Sequence, residues 1–345
     1  MRVKLEDVCE RGSSNIKQSD IIKMSGNYPI YGASGLAGKV NFYHQEQPYV
    51  AVVKDGAGIG RTTLNPAKSS VIGTMQYLIP KKNVLPEYLF YVVSYMHLEK
   101  YYTGATIPHI YFKDYKNEEF NLDNIEKQLE IIDVLGRCKK VIEARKQELV
   151  ELDSLTKARF VEMFGDPRSN PFGFEKKRLK DTCKVITGNT PSRAIEEYYG
   201  DYIEWIKTDN IVSGILNPTQ ATESLSEKGM NVGRTVEKDS ILMACIAGSI
   251  ASIGRVCITD RTVAFNQQIN AVVPEQYNIL FLYVLFQMSK DYLVEDINMA
   301  LKGILSKSKL EEKEFIIPPM DLQEQFSDFV KQVDKSKVTV QKAFE

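Results

Sequence analysis

The side chains of this 345-residue chain that could do chemistry are polar, aromatic and basic groups in turn-rich stretches. Asn and Gln can form paired hydrogen bonds with adenine, Arg and Lys can do so with guanine, and lysine serves phosphate as a point charge. Because such groups recur in two parts of the sequence, they favour a nucleic-acid surface. The candidate DNA-binding residues are Tyr31, Ser34, Lys39, Lys54, Arg61, Thr62, Thr63, His109, Lys113, Arg193, Lys207, Thr208, Arg234, Ser252, Arg255, Asn266, Gln267, Gln268, Lys302, Ser306 and Lys307.

A glycine-rich segment, Gly56-Ala-Gly-Ile-Gly60-Arg61, resembles a phosphate-binding loop only superficially. Its glycine spacing differs from the dinucleotide fingerprint, and it lacks the Gly-Lys-Ser/Thr of a P-loop. We interpret the glycines as a tight turn between strands. For Arg61 and its counterpart Arg255 two interpretations stay open, a DNA-facing loop and an ordinary turn residue.

Motifs for catalysis are missing. Asn65, Asn170 and Asn217 each precede a proline, but none forms the Asx-Pro-Pro-aromatic loop of an amino-methyltransferase. The Glu311-Glu-Lys313 segment fits a nuclease metal site only trivially, and we interpret it as a solvated charge run. The three histidines lack metal-ligand spacing. We therefore expect no catalytic residue, no metal and no cofactor.

Composition sets further bounds. The net charge of −1 carries no basic signal, although acidic helices could mask a basic face elsewhere. A hydrophobic content of 43% and a charged content of 26% are ordinary for a soluble protein of about two domains. No apolar run reaches the roughly 18 residues of a membrane span, and the N-terminus lacks a signal-peptide core. We expect a cytoplasmic protein with reduced, mostly buried cysteines.

The framework that must position these side chains is most regular from Asn124 to Phe164. Apolar residues return there every three or four positions without a proline, which predicts one helix with an apolar stripe. Asp123 or Asn124 can cap its start, and Gly165 with Pro167 supplies a stop signal. At 1.5 Å per residue, the helix would be about 60 Å long and should pack against another helix.

The predicted partner is the last stretch of the chain, which opens with a capping box at Asp321 to Glu324. The two helices start alike, because Ile125, Gln128, Leu129 and Ile132 match Leu322, Gln325, Phe326 and Phe329. This second helix would be about 25 residues long against about 41 for the first. We therefore expect a truncated C-terminus and incomplete pairing along Glu148 to Phe164.

The remaining sequence also repeats. Leu5-Glu-Asp-Val-Cys9 matches Leu179-Lys-Asp-Thr-Cys183, and Ile59-Gly-Arg61 matches Ile253-Gly-Arg255. The growing offset indicates an insertion of about 20 residues in the second copy, within 200–236. The predicted fold class is α+β: two mixed domains, 1–116 and 167–316, separated by two long antiparallel helices, 117–166 and 317–345, with an internal pseudo-two-fold repeat.

These features resemble the specificity (S) subunit of type I restriction-modification systems over nearly the whole chain. The most specific parts are Gln128-Leu-Glu-Ile-Ile132, the run from Leu152 to Pro167, and Ile317-Pro-Pro-Met-Asp-Leu-Gln-Glu-Gln325. The resemblance implies two target-recognition domains, each reading one half of a bipartite, asymmetric DNA target. It also implies that the helices act as a ruler, so that a non-specific gap of fixed length separates the half-sites.

The same resemblance implies partners: double-stranded DNA, two methyltransferase (M) subunits and restriction (R) subunits. S-adenosylmethionine, ATP and Mg²⁺ would belong to those partners, and this chain would not be an enzyme. Its partner-binding residues would be Gln128, Leu129, Ile132, Leu149, Leu152, Leu322, Gln325, Phe326 and Phe329. The alternatives are a coiled-coil scaffold and a recognition subunit of a related methyltransferase system outside type I.

Overall fold

The structure is a computed structural model that describes residues 1–104, 107–297 and 303–343. The chain forms two compact units, Met1–Val141 and Ile142–Glu345, called unit 1 and unit 2 below. The division falls inside one long helix, α5 (Ile125–Phe164), so each unit includes part of it.

Unit 1 combines a four-stranded antiparallel sheet of order β2-β8-β5-β6 with a three-stranded sheet of order β4-β3-β7. Strand β5 is buried at all five positions, which explains its continuous apolar sequence. Helix α3 packs Leu89 and Val93 against Val50, Val52 and Leu78 of the larger sheet. The elements of unit 1 before α5 are β1 (Arg2–Lys4), α1 (Leu5–Val8), β2 (Cys9–Ser13), α2 (Gln18–Ile21), β3 (Tyr28–Gly32), β4 (Gly35–Val40), β5 (Tyr49–Val53), β6 (Thr62–Asn65), β7 (Ser70–Val71), β8 (Met75–Pro80), α3 (Pro86–Tyr95), a 3-10 helix (Leu98–Tyr101), α4 (Phe112–Tyr115) and β9 (Glu119–Asn121).

Unit 2 repeats this plan with a four-stranded sheet of order β11-β20-β16-β18 and a five-stranded sheet of order β12-β14-β13-β19-β15. Helix α7 is apolar on almost every side because most of its residues are buried. The elements after α5 are β10 (Lys176–Arg178), β11 (Cys183–Thr187), β12 (Tyr199–Gly200), β13 (Ile203–Ile206), β14 (Ser224–Leu225), α6 (Glu227–Val232), β15 (Thr235–Val236), β16 (Ile241–Ala244), β17 (Ile246–Ala247), β18 (Val256–Ile258), β19 (Val263–Phe265), β20 (Ile269–Pro274), α7 (Ile279–Met288), α8 (Lys290–Val294), β21 (Gly303–Ile304), α9 (Lys307–Glu312), β22 (Glu314–Ile316) and α10 (Met320–Lys342), with short 3-10 helices at Leu179–Asp181, Glu196–Tyr198, Thr208–Asn210 and Ile250–Ser252.

The internal repeat is confirmed by strand pairing. In unit 1, β1 pairs with β9 antiparallel immediately before α5, and in unit 2, β10 pairs with β22 in the same way before α10. The predicted insertion is also present, since β12, β14 and α6 lie between residues 199 and 232 of unit 2.

The central helix follows its prediction closely. Helix α5 runs for 40 residues without a break. Asn124 is its N-cap, because Asn124 Oδ1 accepts a hydrogen bond from Lys127 N at 2.9 Å. At the other end Gly165 adopts φ +71°, and its N–H donates to Val161 O at 2.8 Å.

Within unit 2, α10 packs antiparallel to the C-terminal half of α5. The Phe326 ring lies 5.5 Å from both Phe160 and Phe164, whereas Lys337, further along α10, forms an ion pair with Asp153, earlier in α5. The prediction of incomplete pairing along residues 148–164 is therefore wrong from Asp153 to Phe164, where α5 contacts α10. Antiparallel order places α10 against this half of α5, and Phe160 and Phe164 are fully buried.

Three local predictions were also wrong. Helix α10 begins at Met320 with Pro319 as N-cap and no side-chain cap, so Asp321 lies in the first turn instead of forming a capping box. The equivalent glutamines are Gln128 and Gln323, each the fourth residue of its helix, instead of Gln128 and Gln325. Lys313 is buried instead of solvated, because its Nζ donates to Tyr292 O at 2.6 Å.

Candidate nucleic-acid interface

The candidate residues of unit 2 meet where two parallel strands end. Strands β13 and β19 run parallel, with Trp205 opposite Ala264 and Ile206 opposite Phe265. The carboxyl ends of parallel strands lie at one edge of a sheet, which is where α/β proteins commonly place binding groups. Lys207 follows β13 directly, and Asn266 follows β19, with Asn266 N donating to Ile206 O at 3.0 Å.

Strand β15 adds another basic residue to this edge. It pairs antiparallel with β19, so Arg234, just before β15, lies beside the end of β19. Phe265 N donates to Arg234 O at 3.3 Å. Arg234 is exposed. We call this group the polar edge of unit 2, and its members are Lys207, Thr208, Arg234, Asn266, Gln267 and Gln268.

The amides of this edge differ in what they can offer to a ligand. Asn266 is buried, and its Oδ1 accepts from Gln268 N at 3.0 Å while its Nδ2 donates to Gln268 Oε1 at 3.2 Å. It therefore shapes the turn after β19. Gln267 is exposed and hydrogen-bonds to Thr190 Oγ1. Of the three amides, Gln267 is the most accessible to a ligand.

A cluster of charged and aromatic residues extends the polar edge of unit 2 into the insertion. Glu223 accepts from Arg193 Nη2 at 2.6 Å and also forms an ion pair with Lys207. The Arg193 guanidinium lies 4.4 Å from the ring centre of Tyr199 and 5.1 Å from that of Trp205. The hydrogen bonds from Lys207 and Arg193 hold the pKa of the Glu223 carboxyl below its usual value, so it is ionised at neutral pH.

In unit 1 the same edge is built from β3 and β7. These strands run parallel, with Ile30 opposite Ser70 and Tyr31 opposite Val71. Ile72 N donates to Tyr31 O at 2.9 Å, and the next turn carries Ser34, which is exposed. We call Tyr31, Ser34, Lys54, Arg61 and His109 the polar edge of unit 1, because Arg61 bonds to Ala33 O after β3 and Lys54 N donates to Thr74 O after β7 at 2.9 Å.

The two Ile-Gly-Arg turns are equivalent in detail. Gly60 and Gly254 adopt φ +81° and +78°, a backbone region that favours glycine. Arg61 Nη1 donates to Ala33 O at 3.0 Å, and Arg255 Nη2 donates to Thr208 O at 3.2 Å. Each acceptor lies two residues after the last paired residue of its parallel strand. Both arginines therefore hold the loop that borders the polar edge of their unit.

His109 joins the polar edge of unit 1 through an acidic residue. His109 Nδ1 lies 2.7 Å from Asp55 Oδ1, and Asp55 also pairs with Lys54. His109 stacks on Tyr111 with ring centres 6.3 Å apart, and Lys113 Nζ lies 5.3 Å from the Tyr111 ring centre. This arrangement brings His109, Lys54 and Lys113 into one polar and aromatic group.

Other predicted residues lie apart from these edges or within the backbone framework. Lys39 lies on β4 opposite Pro29, away from the parallel strand ends. Thr62 and Thr63 belong to β6, and their hydroxyls donate to Gly60 O at 3.2 Å and Ala51 O at 3.4 Å. Ser252 bonds to Ser249, Ser306 caps α9, and Lys307 pairs with Glu311, whereas Lys302 lies outside the described residues.

Sequence reasoning missed the residues that hold the basic groups in place. Glu223, Tyr199 and Asp55 were not among the candidates, yet each contacts a predicted basic residue or histidine. The sequence did contain a weak signal for these contacts, because aromatic residues and an acid, Glu223, lie near the basic residues in and around the insertion. Acids count against DNA binding in a charge-based search, which is why such a search misses Glu223 and Asp55.

The predicted partner-binding residues fall into two groups. Gln128 is fully buried, where its Oε1 accepts from Leu85 N at 2.9 Å and its Nε2 donates to Asn83 O at 3.0 Å. Gln323 makes the matching contact in unit 2, accepting from Asn278 N at 2.9 Å. The buried or half-buried members are Gln128, Ile132, Leu149, Leu152, Leu322, Phe326 and Phe329, and the exposed members are Leu129 and Gln325.

The contacts of Gln128 and Phe326 are structural ones within each unit. Accessible apolar surface on α5 includes Leu129, Val134, Leu135 and Val141, which are between 38% and 59% exposed.

Among the described residues, no group of three or more His, Cys, Asp or Glu is placed to hold a metal ion. In the same part of the chain, no helix combines the length and apolar character needed to cross a bilayer.

Comparisons with known proteins match this architecture. The family model of the type I restriction modification DNA specificity domain matches residues 1–153 and 171–343. The HindI specificity subunit of Haemophilus influenzae is 35% identical over 117 residues, covering 33% of this chain and 24% of that protein. The MjaIX specificity subunit of Methanocaldococcus jannaschii is 25% identical over 292 residues, covering 77% of this chain and 66% of that protein. This chain thus spans less than two thirds of the length of either relative.

Two solved structures share the fold. The S subunit of a type I restriction-modification system from M. genitalium superposes with a TM-score of 0.63 at 14% identity, covering 99% of this chain and 91% of that one. A chain from a study of type I system assembly and conformational transition gives a TM-score of 0.56 at 15% identity, with coverages of 99% and 92%.

Proposed function

We propose a function from the premise that this chain belongs to the type I restriction modification DNA specificity family: it is the sequence-reading subunit of a type I restriction-modification complex. In this role, the two units recognise the two halves of a bipartite, asymmetric DNA target. The recognition domains we assign are residues 1–116 and 167–316.

One observation supports this proposal most strongly. In each unit a pair of parallel strands, β3/β7 or β13/β19, ends at a sheet edge. Basic, amide and hydroxyl side chains lie at these edges, and an Ile-Gly-Arg turn borders each edge. Using one framework twice with different edge residues suits the reading of two different short sequences. The loops differ most in unit 2, where the insertion adds Glu223 beside Arg193 and Trp205.

The chemistry belongs to partners in this proposal. We propose that two methyltransferase subunits dock on the helices α5 and α10 and carry the S-adenosylmethionine, and that restriction subunits carry the ATP and Mg²⁺. The exposed apolar residues Leu129, Val134 and Val141 of α5 suit a helix-docking partner. The chain itself would supply recognition and spacing without a catalytic residue.

Mapping of methylated adenines tests the proposal. Cells that express this chain with the methyltransferase of its own gene cluster should methylate one bipartite sequence. Cells that express the methyltransferase alone should not methylate that sequence. Methylation that is independent of this chain, or a chain that binds no duplex above the level of a net-neutral coiled-coil control, would refute the assignment.

A further inference from the structure

Next to the insertion of unit 2, an arginine is held ready for a base contact. Arg193, just before the insertion, lies over two rings, Tyr199 and Trp205, with the guanidinium carbon 4.4 Å and 5.1 Å from their centres. Trp205 is 3% exposed and packs with Ile203, Leu225 and Ala264, so its ring is a fixed platform. Stacking on a fixed ring reduces the number of conformations available to the arginine.

A carboxylate holds the guanidinium from one side. Glu223 Oε2 accepts from Arg193 Nη2 at 2.6 Å, and Glu223 Oε1 binds Lys207. The other N–H groups of Arg193 donate to no residue in the part of the chain that the structure describes. The Arg193 side chain is 56% exposed, against 27% for that of Lys207. Arg193 is thus the basic group of this cluster that is both oriented and accessible.

The cluster is continuous with the polar edge of unit 2. Trp205 belongs to β13, and its Nε1 donates to Asn189 O at 3.3 Å, next to Thr190, which bonds to Gln267. A guanidinium presents parallel N–H groups in a rigid plane that matches O6 and N7 of guanine in the major groove, whereas the ammonium of a lysine, which can also donate to both atoms, lacks this fixed geometry. An arginine whose rotamer is fixed by a carboxylate loses less freedom on making that contact.

We propose that Arg193 reads a guanine in the half-site recognised by unit 2, with Glu223, Tyr199 and Trp205 as its positioning residues. This inference rests on the proposed function. Unit 1 has the parallel-strand edge without the insertion, so the guanine contact belongs to one half-site only. Arg193 acts as a specificity-determining residue, and Lys207 neutralises the second oxygen of Glu223.

Selection from a pool of randomised DNA duplexes, using the full chain with its methyltransferase subunits, tests this assignment. The Arg193→Ala variant should lose the preference for guanine at one position of one half-site and keep the other half-site unchanged. Affinity for the wild-type duplex should fall roughly 5- to 100-fold. The Arg193→Lys variant should keep affinity for non-specific DNA and show a weaker preference for that guanine.

The matched control is Lys228→Ala. Lys228 lies in the insertion that supplies Glu223 and pairs with Glu197 at 2.5 Å, and both side chains are about 70% exposed. This variant should select the wild-type sequence. An Arg193→Ala variant with an unchanged consensus, or with a uniform loss of affinity for all sequences and a weaker salt dependence, would overturn the inference, because the latter identifies a phosphate contact. A wild-type complex that selects no sequence would refute the proposed function as well.

Discussion

At the scale of single residues, Gln128 and Gln323 join each long helix to the domain before it. Each side chain accepts from the backbone N–H of the N-cap residue of a helix in its own unit, Leu85 for α3 and Asn278 for α7. Both glutamines are buried. This contact occurs at the same place in both copies of the repeat. It fixes the first turn of each long helix against the domain that precedes it in sequence.

Replacing Gln128 with Ala should destabilise unit 1. The change removes the hydrogen bonds of the buried Gln128 side chain to Leu85 N, Asn83 O and Asp123 O, at a cost of about 1–3 kcal/mol in unfolding free energy. Urea denaturation measures this cost. Gln325→Ala is the control, because Gln325 is exposed and should change stability by less than about 0.5 kcal/mol. Equal effects of the two variants would contradict the hydrogen-bonded, buried position of Gln128.

Thiol reactivity provides a second prediction at this scale. Burial raises the pKa of Cys9, Cys183, Cys245 and Cys257 to about 12, whereas Cys138 is exposed on α5. At pH 8 the buried groups stay protonated and shielded, so one thiol per native chain should react rapidly with a disulfide reagent. Unfolded protein should show all five.

The Cys138→Ser variant is the control and should abolish the rapid phase. If methyltransferase subunits dock on α5, they should slow the reaction of Cys138 in the wild-type chain. More than one rapidly reacting thiol in the native chain would contradict the burial of the other four.

At the scale of elements, an aromatic cluster holds α10 to α5 within unit 2. Phe160, Phe164, Phe281 and Phe326 are all fully buried, and the ring centres of Phe164 and Phe281 lie 4.9 Å apart. The cluster joins both long-helix segments to α7 of the domain. The α5/α10 pairing therefore forms part of the main core of unit 2.

The Phe326→Ala variant should lose about 3–5 kcal/mol of unfolding free energy in unit 2, because it leaves a cavity among packed rings. Thermal or urea unfolding with a probe in unit 2, such as Trp205 fluorescence, measures the loss. Val338→Ala on the same helix is the control, since Val338 is 41% exposed. A small loss for Phe326→Ala would mean that α10 packs elsewhere in solution.

The sequence predicted elements better than contacts between them. The 40-residue α5 and the buried strand β5 follow from periodicity and from a continuous apolar run. The parallel pairing of β13 with β19 joins residues about 60 positions apart, and no local pattern specifies it. Likewise, Gln323 and Gln325 are both polar and two residues apart, so only packing decides which of them is buried.

The site was predictable as a region and not as a set of contacts. Lys207 and Gln267 were candidates from residue type, and the structure places both at one edge. Which groups hold Arg193 depends on the fold of the insertion, because Glu223 lies 30 residues away in sequence. Lys313 is a residue for which the expectation from sequence was wrong. The run of charges around it predicted exposure, whereas in the structure Lys313 is buried, with its Nζ 4.1 Å from the ring centre of Tyr292.

At the scale of the whole molecule, α5 is the element shared by both units, because the division between them falls within its 40 residues. Residues 133–135 and 137–147 of α5 are exposed, so the helix is not built into a core there. We propose that this helix sets the gap between the two half-sites. A spacer role predicts that gap length and half-site sequence can be changed independently.

Deleting residues 139–145 tests this claim most directly. A seven-residue deletion nearly preserves the helical phase and shortens α5 by about 10 Å, which corresponds to at most about three base pairs of DNA. The double variant Lys140→Ala/Lys146→Ala changes exposed side chains in this stretch without changing the length or the apolar residues proposed for docking, and it serves as the control.

The measurement is the methylated or selected sequence of the wild-type chain, the deletion and the control, each with the methyltransferase subunits. A spacer role of α5 predicts a shorter gap with unchanged half-sites for the deletion, and the wild-type gap for the control. An altered half-site, or an unchanged gap in a deletion variant that still binds, would contradict it.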